Sequence, residues 1–239
     1  MDQQKSFIRK FWWLFLVLVL VIIFLGYNGW QSWQFAKSKD AKFITASPID
    51  LSQYRVISKL RSCAGHDYSG INIDGETETN RSMKHYAVPL QKFEGTKDQV
   101  KLFAPFDGKI AKIGDTKTGS LGEGIYLTSG NGWFFEIGHI VLVPNLKAGD
   151  KVSSGQLIGY FEAQNGWALD LQFYHSGKYI DMFQGIDSYI NHLAPEVEAE
   201  YAKHGLQKEA IIISKEARDQ NPCQGFDEHP EQDSVNVIN

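Results

Sequence analysis

Two glycine-bearing turns bound the stretch that most constrains how this chain can fold. The first, Ala104-Pro105-Phe106-Asp107-Gly108, follows Leu102-Phe103 and leads into Lys109-Ile110. The second runs from Ala148-Gly149-Asp150 through Val152 and Gly155-Gln156 to Leu157-Ile158-Gly159. Asp-Gly and Gly-Asp pairs accept the positive φ of a tight reversal, so both turns punctuate strands. Residues 124–129 and 132–142 read as further strands between them. Residues 169–174 then alternate, with Leu169, Leu171 and Phe173 on one face and Asp170, Gln172 and Tyr174 on the other. That period of two belongs to a half-buried strand. The expected fold class is mostly β, with 100–185 forming an antiparallel sandwich or barrel.

The N-terminus sets a second boundary. Lys5, Arg9 and Lys10 precede an apolar run over 11–30, and no charge recurs before Lys37. About 20 such residues span a bilayer. Trp12, Trp13, Tyr27, Trp30 and Trp33 stand near its ends, as an aromatic belt would. A cleavable signal peptide has a shorter apolar region and ends in small residues, and Gly26-Tyr27-Asn28-Gly29-Trp30 offers no such site. An uncleaved transmembrane signal anchor is therefore expected, with 1–10 as a cytoplasmic tail. The positive-inside rule places the main domain outside the cytoplasm, so the membrane is one partner. The polar stretch 31–50 reads as a linker. In an oxidising compartment Cys63 and Cys223 are expected to pair as a disulfide. There is no Cys-x-x-Cys for a zinc knuckle or a thioredoxin-like motif. A net charge of -4 and the lack of a basic run with interleaved aromatics argue against a nucleic-acid partner.

Residues 51–99 read as loop-rich, with 51–60 open between strand and helix. His66, Asp67, Tyr68, Arg81, Lys84 and His85 crowd this segment. Loops carrying such side chains together are where binding residues concentrate; a solvated loop whose polar groups cap one another is the plainer reading. Asn80-Arg81-Ser82 is also a glycosylation sequon. Residues 186–223 read as C-terminal helices. One is marked by Pro195 near its start and by Lys203, His204 and Gly205 at its end, and a second covers 207–220. Residues 224–239 read as a polar tail.

The order of turns, with Ile137-Gly138-His139 between them and Asp170-Leu171-Gln172-Phe173 after them, resembles the lysostaphin/LytM-type zinc endopeptidases and their duplicated hybrid motif, over 83–183. The resemblance implies hydrolysis of cell-wall peptides with zinc held by a His-x-x-x-Asp pair and the second histidine of His-x-His. Carried across, His139 falls on a neighbouring-strand histidine and Asp170 on the assisting histidine, making them the candidate catalytic pair. Gln172 falls on the last zinc ligand. His85 falls on the upstream metal ligand, but Pro89 replaces its partner. Glutamine is a poor zinc ligand beside imidazole, and proline offers no side-chain ligand.

The resemblance thus implies a degenerate, peptidase-like member, with no cofactor expected, that binds a cell-envelope polymer or a partner protein. His66, Asp67, Tyr68, Arg81, Lys84, His85 and Gln172 are its candidate binding residues. The alternative is a zinc-dependent hydrolase with a rearranged ligand set from His66, His85 and His139 with Asp67 or Asp170. In the plainest reading Asp170, Gln172 and Tyr174 line the wet side of a sheet. His175, His192, His204 and His229 have no partner at ligand spacing, and surface roles are expected for them. A lipoyl-type carrier fits less well, because the hairpin at 163–166 has no lysine to modify.

Overall fold

The computed structural model describes residues 2–113, 123–164, 167–176, 184–227 and 233–238. The hairpin tip at 165–166, Phe183 and His229 lie outside the described residues. In chain order the strands are β1 (Tyr54–Ser58), β2 (Gly70–Ile71), β3 (Thr77–Glu78), β4 (His85–Pro89), β5 (Lys101–Phe103), β6 (Gly108–Ile113), β7 (Glu123–Thr128), β8 (Trp133–Leu142), β9 (Lys151–Val152), β10 (Leu157–Phe161), β11 (Leu169–Ser176), β12 (Gln184–Asp187) and β13 (Ser234–Asn236). Helix α1 covers Asp2–Ser38; α2 (Pro195–Lys203), α3 (Lys208–Ile211) and α4 (Lys215–Gln220) follow the strands.

The fold is mostly antiparallel β. Among the described residues one sheet runs β13-β1-β4-β11-β8-β7-β6-β9, with β10 bridging β5 and β8, and β12 flanking β11. Strand β8 shows why these residues form a sheet. Trp133, Phe135 and Ile137 alternate into the core, where they meet Leu169, Leu171 and Phe173 of β11. Burying a large apolar side chain contributes about 1.5–3 kcal/mol, so a one-residue slip of either strand would expose the whole set.

Several expectations need correction. The second face of β11 is not wet. Tyr174 and Gln172 are buried, because Met83, Tyr174 and Ile186 form a small second core with Tyr68 and Phe134 against it. Gly108 does not adopt a positive φ. Its need for glycine is space, since a Cβ there would lie 2.5 Å from the Thr128 carbonyl oxygen. Gly149 has the positive φ, at 94°. Residues 51–60 hold both a short 3-10 turn, at Leu51–Gln53, and β1. The second C-terminal helix is broken into α3 and α4, because Ile212 pairs with Leu60 and Ser214 caps the new start. His175 and His192 are buried rather than on the surface. They sit in an aromatic cluster with Phe35, Trp133 and Phe173.

The stretch 31–50 is not a free linker either. Over Phe11–Ser38, α1 is long and apolar enough to cross a membrane. Its last turns dock on the sheet. The Phe35 ring lies 4.6 Å from His175, and Trp133 Nε1 donates to Ser38 Oγ at 3.0 Å. Lys39 pairs with Asp74. Ile44 and Ile49 are in the core, and Phe43 packs on Phe106, Trp133 and Phe173.

Cys63 and Cys223 are disulfide-bonded. Beside the bridge, Arg218 reaches Asp233 at 2.6 Å and Arg61 through its carbonyl. Glu78 accepts from Arg61 at 2.7 Å and Arg81 at 2.9 Å, and Arg81 also pairs with Asp219. Burial opposes the Glu78 charge, and Arg61, Asn72 and Arg81 overcome it and hold the carboxyl below its ordinary value. Segment 61–69 is thereby pinned over β4.

Candidate functional site

The site begins with a fault in β8. That strand pairs with β11 from Trp133 to Ile137, then with β10 from Ile140 to Leu142. Against β7 its register shifts between Ile137 and Ile140, so β8 carries one residue more than its partner. His139 lies inside this bulge with φ +60°, left-handed for a non-glycine. Such a backbone costs on the order of 1–2 kcal/mol. The bulge re-aims the side chain and brings His139 Nε2 to 3.9 Å from Asp170 Oδ1. Gly138 leaves room for the meeting, since an added Cβ would stand 3.1 Å from the Asp170 Cβ.

The β4–β11 register sets the other wall. Tyr86 opposes Asp170, and His85 opposes Leu171. Opposed residues share a face, so Tyr86 stands with Asp170 while His85 turns into the core with Leu171. Lys84 returns to the polar side, where its Nζ is 3.1 Å from Asp170 Oδ2 and 4.1 Å from the centre of the Tyr68 ring. The side chains of Lys84 and Asp170 are only 8% and 16% exposed.

Segment 61–69 forms the lip. His66 Nδ1 lies 3.3 Å from the Tyr86 hydroxyl, and Tyr86 stacks on Trp167 with ring centres 5.4 Å apart. Gly65 packs so closely on Tyr86 that an added Cβ would meet the ring at 2.4 Å. Partial burial, then the Lys84 ammonium, hold His66 below its ordinary value. Burial, with Glu136 behind it, pushes the Tyr68 phenol up to about 12. At the floor, Gln172 is 1% exposed, and neither side-chain atom makes a hydrogen bond of normal geometry. The nearby Tyr68 hydroxyl is close enough to feel the amide. His139 Nδ1 is likewise buried without a partner.

The structure therefore brings His66, Tyr68, Lys84, His139, Asp170 and Gln172 to one face. It does not bring Arg81, which is tied to Glu78 and Asp219. Asp67 is exposed on the rim and caps the Ser69 amide at 3.1 Å. His85 is apart from all of them. Its Nδ1 donates to the Ser58 carbonyl at 2.8 Å, so its Nε2 accepts from Ser188 Oγ at 2.8 Å. With both nitrogens engaged in the core, His85 is not placed to bind a metal on this face. Sequence reasoning missed Tyr86 and Trp167, which no motif singles out; only the β4–β11 register reveals Tyr86.

These residues do not fit a zinc ion at the family's positions. The upstream strand presents Lys84 and Tyr86 to the face, not His-x-x-x-Asp, and Asp170 is already paired with an ammonium. A buried amide is a weak substitute for imidazole. Among the described residues, the three-ligand grouping within 4.8 Å is Cys63, Cys223 and Asp233, and both of its sulfurs are spent in the disulfide.

Residues 83–182 match the family model described as Peptidase family M23. Over this span the chain is M23-like. Solved structures add three similarities. A putative glycyl-glycine endopeptidase lytM from Ruminococcus gnavus is 18% identical, with 43% of this chain and 41% of that one covered and a TM-score of 0.33. The catalytic domain of lysostaphin from Staphylococcus simulans is 20% identical, with 59% and 92% covered and a TM-score of 0.36. The SpoIIQ–SpoIIIAH pore-forming complex holds a chain 16% identical, with 68% and 99% covered and a TM-score of 0.38. This chain thus spans less than half the length of the Ruminococcus protein. None of the three is similar enough for its chemistry to be carried over. No curated protein matches. The M23-like span begins at Met83, so segment 61–69, which supplies His66 and Tyr68, lies outside it.

Proposed function

We propose that this is a membrane-anchored, extracytoplasmic, peptidase-like binding module that works without metal. It holds a cell-envelope polymer or a partner protein at the face formed by His66, Tyr68, Lys84, His139, Asp170 and Gln172. The observation that carries the reading is Gln172. It falls where the resemblance puts a zinc ligand, and it is buried with no partner beyond a marginal contact to the Tyr68 hydroxyl. Such an amide costs about 1–3 kcal/mol, and unpaired buried groups in a native fold call for a partner such as a ligand or ordered water. The anchor is α1, oriented by Lys5, Arg9 and Lys10 on the inner side; the disulfide agrees with an oxidising compartment. The test is zinc content after dialysis, together with binding of envelope fragments before and after chelator. Zinc-free protein whose binding survives chelator and is lost in Asp170→Ala supports the module.

One observation favours a second reading. His66, His139 and Asp170 do come to one face, with His139 and Asp170 3.9 Å apart, so a hydrolase with rearranged ligands has three donors that a shift of the His66 segment would have to bring together. Near-stoichiometric zinc that is lost in His66→Ala or His139→Ala, with chelator-sensitive cleavage of cell-wall peptides, would establish it instead.

A further inference from the structure

We propose that the Lys84 ammonium takes the place of the metal charge on this face, and that it closes the face to divalent cations. The inference rests on the metal-free reading above and deepens it. A peptidase site of this kind needs a positive centre among its carboxylate and imidazole groups. Here the positive centre is covalently part of β4's approach. Lys84 Nζ lies 3.1 Å from Asp170 Oδ2, and the other Asp170 oxygen faces His139 Nε2 at 3.9 Å. The Tyr68 ring covers the ammonium at 4.1 Å, a contact that strengthens as water is excluded. A second, divalent cation at Asp170 would stand beside this fixed charge, where like-charge repulsion is weakly screened.

The β4–β11 register explains why a cation stands here. The residues that share Asp170's face are Tyr86 and, two positions earlier, Lys84, whereas the histidine between them points away. A strand end that would present metal ligands presents a cation. The charge is therefore carried by the chain itself and independent of metal supply.

The experiment is zinc titration of the full chain in detergent, followed by dialysis and metal analysis. It compares the wild type with Lys84→Gln, Lys84→Met and Lys84→Arg, each checked for fold by circular dichroism. The wild type and Lys84→Arg should take up no zinc that depends on Asp170. Lys84→Gln or Lys84→Met should bind zinc at least tenfold more tightly than the wild type, and the gain should vanish when Asp170→Asn is added. Adding Gln172→His should strengthen uptake only where Lys84 has been removed, which keeps the test open if one single variant fails to fold. Stoichiometric, Asp170-dependent zinc in the wild type overturns the proposal, and so do folded Lys84→Gln and Lys84→Met proteins that gain none. Binding of envelope fragments is measured on the same proteins. Its absence from zinc-free wild type would sink the binding module, while the titration alone decides the role of Lys84.

Discussion

His139 Nε2 stands 3.9 Å from Asp170 Oδ1 because β8 breaks step at that histidine, not because the two residues are ladder partners. The partner that β11 finds in β8 ends at Ile137. His139 sits beyond it, in a left-handed conformation. A strained residue inside a bulge, with one buried nitrogen unpaired, is kept against a stability cost. Strain of this sort gathers at functional sites.

His139→Gly should therefore stabilise the domain by about 1 kcal/mol, because glycine takes a positive φ freely. Thermal unfolding of the isolated variant checks this. Gly138→Ala should act in the opposite direction, since its methyl would press on the Asp170 Cβ at 3.1 Å. A His139→Gly protein less stable than the wild type would mean that the ring contributes more through packing than its backbone costs.

His85 gives a pH dependence with a definite sign. Burial, partly offset by the Ser58 carbonyl, holds it at about 4, against an ordinary value of 6.5. Below about pH 6.5 the unfolded chain takes a proton that the folded chain does not. Its contribution is full above that pH and falls as pH drops toward about 4, by on the order of 3 kcal/mol. Denaturant unfolding at pH 7 and pH 4.5 should show the loss. The difference should shrink in His85→Gln, although that variant starts out less stable.

The disulfide closes a loop with a sequence separation of 160 residues. In the chain-entropy model such a loop contributes about 5 kcal/mol, less where the unfolded chain keeps structure. Reduction should lower the unfolding midpoint and loosen segment 61–69 first. Hydrogen exchange with and without dithiothreitol checks this, since the amides of Gly65 and Tyr68 bond to Asp227 and Arg81 and should lose protection before those of β8.

The β core was legible because turn chemistry and strand alternation agree. Gly149 turns the chain, and Trp133, Phe135 and Ile137 bury on one side. The helix long and apolar enough to cross a membrane was legible from its length and hydropathy. The grouping of the candidate site was legible only in part. His66, Tyr68, His139, Asp170 and Gln172 stand out by residue type, but Lys84 meets Asp170 across 86 positions of sequence, a pairing that no local pattern encodes. His85 shows the limit most clearly. Its histidine suits a ligand, yet a one-residue difference in strand register decides between site and core. The second core over β11 was hidden for the same reason, because Met83 and Ile186 come from distant segments.

Gln172 supplies the last prediction. Its amide is buried, with the Tyr68 hydroxyl as its one marginal contact. Leucine is close in volume and carries no polar atom, so Gln172→Leu should stabilise the free protein by about 1–3 kcal/mol, the usual cost of an unsatisfied amide. If the amide serves a ligand, the same variant should lose binding to envelope fragments while its unfolding midpoint rises. Gln172→Asn keeps the amide but withdraws it by one methylene, and should weaken both. Stability and binding are thus expected to move in opposite directions in Gln172→Leu and together in Gln172→Asn. A leucine variant that is more stable and binds as well as the wild type would make Gln172 a packing residue and move the ligand contact to Asp170 and His139. A leucine variant that is less stable would show that the amide is already satisfied, through Tyr68 or water, and the reading of Gln172 as an open partner would fail.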